Sequence, residues 1–242
     1  MKNLEKFRNK IKKKCSIGTW MQIDSDFVAK NISLSNAEWV VLDFEHGFFD
    51  FKNIPRICEI FKSKNKFVFS RLCYNTSSEV KKTLEAGCDG IIFPRIDCEK
   101  KLNNLILNSI YPPIGKRSFG FSYDNEFGKD FKKFKKTKKP LIIAMIETID
   151  GVLNLDNILK VKHLDGLIIG NYDLMLSWKS QKNNFKSVEQ MHDLIFKKAK
   201  KSNKVFGLHI VKGNKREIEK LKKKGCKFLP ISMDTVHLQN IL

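Results

Sequence analysis

Arginine is scarce in this chain: 6 of its 46 basic residues are arginine and 40 are lysine, against 26 acidic residues, for a formal charge of +20. The planar guanidinium is the group that bidentate recognition of phosphates and base edges favours. With no RNA- or DNA-binding signature beside it, this scarcity argues against a specific nucleic-acid partner. The lysine clusters at 10–14, 129–139, 197–204 and 220–227 read instead as solvated helix faces. No apolar run approaches the roughly 20 residues that span a bilayer, so no membrane partner is expected. Residues 1–14 lack the apolar segment of a secretory signal and read as the basic leader of a cytoplasmic protein. None of the six cysteines stands in a Cys-x-x-Cys pair, which favours buried free thiols over zinc sites or disulfides. No glycine-rich phosphate turn follows the first apolar run, where Asp24-Ser25-Asp26 stands, and this counts against a doubly wound open sheet, the runner-up architecture.

What the chain does have is a countable alternation. Strand-like apolar runs occupy 16–23, 39–45, 67–72, 90–96, 141–147, 164–170, 205–210 and 228–233. Amphipathic patterns fall at 26–35, 51–62, 77–86, 99–109, 153–161, 188–202 and 217–224, with a short tail from Val236. Eight βα units without a break in composition predict an α/β fold, a single-domain (β/α)8 TIM barrel over residues 15–242. A turn-rich loop, Tyr111-Pro112-Pro113-Ile114-Gly115-Lys116-Arg117, and an aromatic, lysine-rich stretch to Lys139 interrupt the regular spacing.

In such a barrel the chemistry sits where the strands end. The second run ends in Asp43, Glu45 and His46, the third carries Arg71, the fifth ends in Glu147 and the sixth runs into Gly170-Asn171-Tyr172-Asp173. Glu147 and Asp173 on neighbouring strands make an oxygen-rich pair suited to a hard divalent cation. An arginine there can neutralise a developing oxyanion, and a histidine beside a carboxylate can act as a base. Each feature has a plainer account: Asp173 as a helix N-cap, Arg117 as a loop anchor rather than a substrate-carboxylate ligand, Phe48, Phe49 and Phe51 as loop packing rather than an aldehyde pocket. His163, His192, His209 and His237 lie in helix or strand patterns and read as structural.

The segments Leu42-Asp43-Phe44-Glu45-His46, Met145-Ile146-Glu147-Thr148, Ile169-Gly170-Asn171-Tyr172-Asp173-Leu174 and Met233-Asp234-Thr235, with the Arg71 strand and the Pro112-Pro113 loop, resemble the HpcH/HpaI aldolase family, the metal-dependent class II pyruvate aldolases related to citrate lyase. The resemblance implies an enzyme that uses a divalent cation (Mg²⁺, Mn²⁺ or Co²⁺) to cleave a 4-hydroxy-2-oxo acid reversibly into pyruvate, or a close 2-oxo acid, and an aldehyde. It implies Glu147 and Asp173 as metal ligands, His46 as the base for the 4-hydroxyl proton and Arg71 as the group beside the ketone oxygen. Asp43 would orient the histidine, and Glu85 would stand where better-known members carry an Asp thought to raise that histidine's basicity. Trp20, Met145, Gly170, Asn171, Tyr172 and Asp173 would line the substrate, and a homo-oligomer, trimer or hexamer, is expected. Met145 departs from the glutamine common in better-known members and donates no hydrogen bond. The short C-terminus is a further departure. Two alternatives stand beside the aldolase: a related metal-enolate lyase or decarboxylase, and a catalytically weak barrel that binds anionic partners through its lysines.

Overall fold

Runs such as Trp39–Asp43 and Phe67–Arg71 are buried at every position. That is what strands need when one face meets a barrel interior and the other a layer of helices. In the computed structural model, which describes residues 3–129 and 139–239, eight such strands pair in parallel: β1 (Ser16–Met21), β2 (Trp39–Asp43), β3 (Phe67–Arg71), β4 (Gly90–Phe93), β5 (Leu141–Ile146), β6 (Gly166–Ile169), β7 (Val205–Leu208) and β8 (Phe228–Met233). They follow sequence order, with β8 returning to pair with β1. The seam between β7 and β8 is thinner, held by the bridge Ile210–Ile231 and bonds such as Ile210 N to Pro230 O at 3.0 Å. The barrel is therefore closed, though unevenly.

The helices are α1 (Leu4–Lys13), α2 (Asp26–Ser33), α3 (Ile54–Ser63), α4 (Ser77–Glu85), α5 (Glu99–Ser109), α6 (Ile149–Leu153), α7 (Leu155–Lys160), α8 (Asn171–Ser180), α9 (Val188–Lys201), α10 (Lys215–Lys224) and α11 (Asp234–Gln239). Local chemistry sets several ends. Thr76 and Glu79 cap the start of α4 reciprocally, and Gly225, at φ +95°, takes the left-handed turn that ends α10. The periodic stretch 153–161 holds α7, with the short α6 ending where it begins and the two meeting at Asn154; α8 falls in a stretch left out of the counted amphipathic patterns. All six cysteines are free thiols, with Cys58, Cys88 and Cys226 buried. Residues 130–138, most of one lysine cluster and the latter part of the aromatic stretch after the Pro112-Pro113 loop, lie outside the described residues. No helix among those described is long and apolar enough to cross a membrane.

The barrel interior is aromatic. Trp39 stacks on Phe228 with ring centres 3.9 Å apart, and Gly18 makes the room, since a Cβ there would fall 2.1 Å from the Trp39 ring. The stretch set apart as a basic leader contains α1, which closes the barrel end opposite the strand termini. Its Phe7 packs 4.4 Å from Phe67, Ile11 is fully buried, and Arg8 bonds Asp165 at 2.7 Å. Replacing Phe7 by Ala should cost about 3–5 kcal/mol, the usual range for a buried aromatic. Urea unfolding would show this as a lowered midpoint at unchanged slope; a shift below about 1 kcal/mol would mean that α1 is not part of the folding unit.

Candidate active site

The carboxyl end of β2 delivers Asp43 into a pocket of donors. It is 1% exposed, and Arg71, its register partner on β3, grips it with Nε at 2.8 Å and Nη2 at 2.7 Å. Gln22 Nε2 donates to it at 3.0 Å, and the main-chain N–H groups of Glu45 and His46 donate at 3.2 and 3.3 Å. Burial pushes the Asp43 carboxyl up, but the hydrogen bonds and charge of Arg71 outweigh it and hold the group below its ordinary value. The remaining Arg71 nitrogen, Nη1, pairs with Glu45 at 2.9 Å, and the guanidinium lies 4.5 Å over the Trp20 ring.

Across the mouth, Glu147 follows β5 and is 2% exposed. Its Oε1 accepts a 2.6 Å hydrogen bond from the main-chain N–H of Arg95, presented by a left-handed residue at φ +49°. Its Oε2 lies against Gly170, where a Cβ would come within 2.2 Å, so only glycine fits there. Burial pushes the Glu147 carboxyl up to about 7; the Arg95 N–H opposes this, and the charges of Glu45 and Asp173 add to it. Glu45 is likewise raised, first by burial, with Asp43 and Asp173 adding while Arg71 and His46 relieve it. Asp173 sits in the first turn of α8 but makes no capping bond there; Gly170 holds the N-cap position.

Several expected residues thus meet. Asp43, Glu45, Arg71, Trp20, Glu147, Gly170 and Asp173 share the rim. His46 is exposed next to Glu45, and Met145 is buried in the barrel interior on the same strand as the approach to Glu147. The Gly170 N–H is engaged with Ile146 O at 3.2 Å, so the free first-turn donors of α8 are those of Asn171, Tyr172 and Asp173. Glu85 does not join them within this chain: it ends α4, lies 3.9 Å from Lys81, and no hydrogen bond or ion pair among the described residues links it to His46. The helix runs back from the rim, so its last residue is carried away. Arg117, 4% exposed, pairs with Asp124 at 3.1 Å and stacks on Tyr111, which makes it a loop anchor. Phe49 and Phe51 pack on Phe44, while Phe48 is exposed. Gln22 and the Arg95 N–H went unnoticed in the sequence, and Asp234, quoted there within Met233-Asp234-Thr235 without a role, accepts from the N–H groups of Gln22 and Ile23 at 2.9–3.0 Å. Main-chain donors leave no mark in residue identity, and a lone Gln after a strand carries no signal.

Asp43, Glu45 and Glu147 face one guanidinium at this rim, and Asp173 adds its charge beside Glu45 and Glu147. Among the described residues no three His, Cys, Asp or Glu side chains form a ready-made metal cluster. The Glu147 carboxyl, raised by burial and further by Glu45 and Asp173, belongs to an oxygen-rich set whose chemistry fits a hard divalent cation.

A family model described as HpcH/HpaI aldolase/citrate lyase matches residues 16–240. The chain is similar to a hydroxypyruvate/pyruvate aldolase of Rhizorhabdus wittichii, 29% identical over 162 residues, which are 66% of this chain and 64% of that protein. This alignment spans just under two thirds of the relative's length. It is also similar to a 5-keto-4-deoxy-D-glucarate aldolase of an Enterobacter species, 28% identical over 211 residues, 84% of this chain and 82% of the relative. Its fold is similar to the crystal structure of an HpcH/HpaI aldolase from Desulfitobacterium hafniense, with a TM-score of 0.87 at 20% identity, covering 99% of this chain and 93% of that one.

The raised Glu147 carboxyl predicts a pH dependence of stability. Its pKa is about 7 folded and about 4.3 unfolded, so the contribution is fully present below the unfolded value and is lost as pH rises through the folded one. Metal-free protein should therefore lose a few kcal/mol, of order 3, between about pH 5 and pH 8 relative to Glu147→Gln. Added Mg²⁺ or Mn²⁺ should restore the loss at pH 8 in the native chain alone. Parallel melting curves for the two proteins across that range would contradict the assignment.

Proposed function

The chain belongs to the HpcH/HpaI aldolase/citrate lyase family, and on that premise we propose that it is a divalent-metal-dependent aldolase, reversibly cleaving a 4-hydroxy-2-oxo acid to pyruvate or a close 2-oxo acid and an aldehyde. The observation that carries this reading is the buried, raised Glu147 set among Glu45 and Asp173 beside a single cation, Arg71. The named activities of the relatives, a hydroxypyruvate/pyruvate aldolase and a 5-keto-4-deoxy-D-glucarate aldolase, support it.

In this reading Glu147 and Asp173 hold the cation, which supplies Lewis acidity to the 2-oxo group when bound. Asp43 locks Arg71 through two parallel hydrogen bonds. The guanidinium is thereby preorganised to meet negative charge developing on the ketone oxygen. His46, exposed at the mouth, accepts the 4-hydroxyl proton directly or through water. The first-turn N–H groups of Asn171 and Tyr172 at the α8 N-terminus face the substrate carboxylate. Trp20 walls the pocket, and Met145 contributes shape without a hydrogen bond. The family likeness also supports a homo-oligomer.

The test is pyruvate release from a panel of 4-hydroxy-2-oxo acids by chelated protein, with and without Mg²⁺, Mn²⁺ or Co²⁺. Turnover should need metal, be insensitive to moderate salt, and fall by about 100-fold or more in His46→Ala and Arg71→Lys. Turnover of a decarboxylation substrate with none of the hydroxy acids would favour the related lyase chemistry. Strong salt-dependent polyanion binding with no turnover would favour a binding role for the lysines.

A further inference from the structure

His209, just beyond β7, stands outside every role given above. Its ring stacks on Trp20, with centres 4.9 Å apart and planes 27° from parallel. Its Nε2 lies 3.4 Å from the main-chain oxygen of Ser232 on β8. Burial pushes the imidazole down to about 4, so it is neutral at working pH and Nε2–H is the donor to that carbonyl.

The position matters because the barrel is weakest there. β7 and β8 share no ladder along β7's span, only the bridge from Ile210, just past β7, to Ile231 and a few main-chain bonds beside it; Ser232 is left-handed at φ +57°, and the β8–β1 register shifts between Gly18 and Trp20. His209 spans this seam, touching β8 through Ser232 and β1 through Trp20. Trp20 is 1% exposed, and its indole N–H has no hydrogen-bond partner among the described residues. Nothing polar fixes the indole among the described residues, so packing in the barrel interior and the His209 stack hold it. Trp20 in turn carries the Arg71 guanidinium at 4.5 Å.

We propose that His209 is a positioning residue for Arg71: the stack His209–Trp20–Arg71 clasps the barrel seam and fixes the guanidinium that faces the reacting oxygen. The reaction part of this rests on the aldolase reading; the structural part does not. The ring does the positioning, and the bond to Ser232 sets only its tilt.

The test uses the full-length chain in three variants. His209→Ala removes the stack, His209→Gln keeps a donor for Ser232 without the ring, and His209→Phe keeps the ring without the donor. The Arg71 Nε–H resonance of ¹⁵N-labelled protein, assigned by its loss in Arg71→Lys, reports the guanidinium under the Trp20 ring. It should move in the Ala and Gln variants and return towards its native position in His209→Phe. On the best hydroxy acid, kcat should fall about tenfold in Ala and Gln, with KM changed little, and recover in Phe. An unmoved resonance, or a kcat that follows melting temperature rather than the ring, would overturn the proposal. If native protein turns over no acid at all, the aldolase reading fails, and the resonance alone then decides whether His209 holds Arg71.

Discussion

The site is organised by one buried ion pair. Asp43 and Arg71 sit at adjoining strand ends, nearly excluded from water, and meet through two parallel hydrogen bonds. Such a pair is costly to desolvate, and removing either partner leaves a charge with nothing to balance it, at about 3–5 kcal/mol. Asp43 offsets that cost by collecting Gln22 and two main-chain donors. Three strands are joined as a result: β1 through Gln22, β2 through Asp43 and β3 through Arg71. The guanidinium has little freedom left, and a rigid cation is what a reacting oxyanion requires.

Around that fixed charge the rim holds more negative than positive charge. Glu45 takes the last Arg71 nitrogen, and among the described residues Glu147 and Asp173 form no ion pair. Gly170 lets the Glu147 carboxylate lie directly against the main chain, and the left-handed turn at Arg95 aims an N–H at it. Both devices place a carboxylate where burial alone would disfavour one. Such effort is accounted for when the carboxylate serves a bound cation, and the proposed aldolase chemistry follows from that.

Much of this was legible beforehand for a plain reason. Strands buried on both faces read as unbroken apolar runs, so all eight were countable, and β8 was bounded as observed. The polar residues ending those runs, Asp43, Arg71, Glu147 and Asp173, converge because parallel strands bring their carboxyl ends to one rim. Helix α1 was hidden by its lysines: Leu4, Phe7 and Ile11 mark its inner face, but the surrounding charge reads as a solvated tail. Helix α8 was left out of the counted amphipathic stretches, although a helix start was read near Asp173, because its polar opening turn shows no apolar periodicity. Glu85 was carried over by likeness alone; within this chain it ends α4, away from the rim. His209 looked structural because its partners, Trp20 and Ser232, are distant in sequence and close only once the barrel shuts.

The central claim is that this rim, loaded with a divalent cation, makes the methyl protons of a 2-oxo acid labile, whichever aldehyde the protein uses. Proton NMR of pyruvate in D₂O with the metal-loaded chain measures that directly. The account predicts loss of the pyruvate methyl signal at a rate that depends on added Mn²⁺ or Mg²⁺ and collapses in Asp173→Asn. A methyl signal that decays no faster than in buffer, while the protein demonstrably binds the cation, would contradict it.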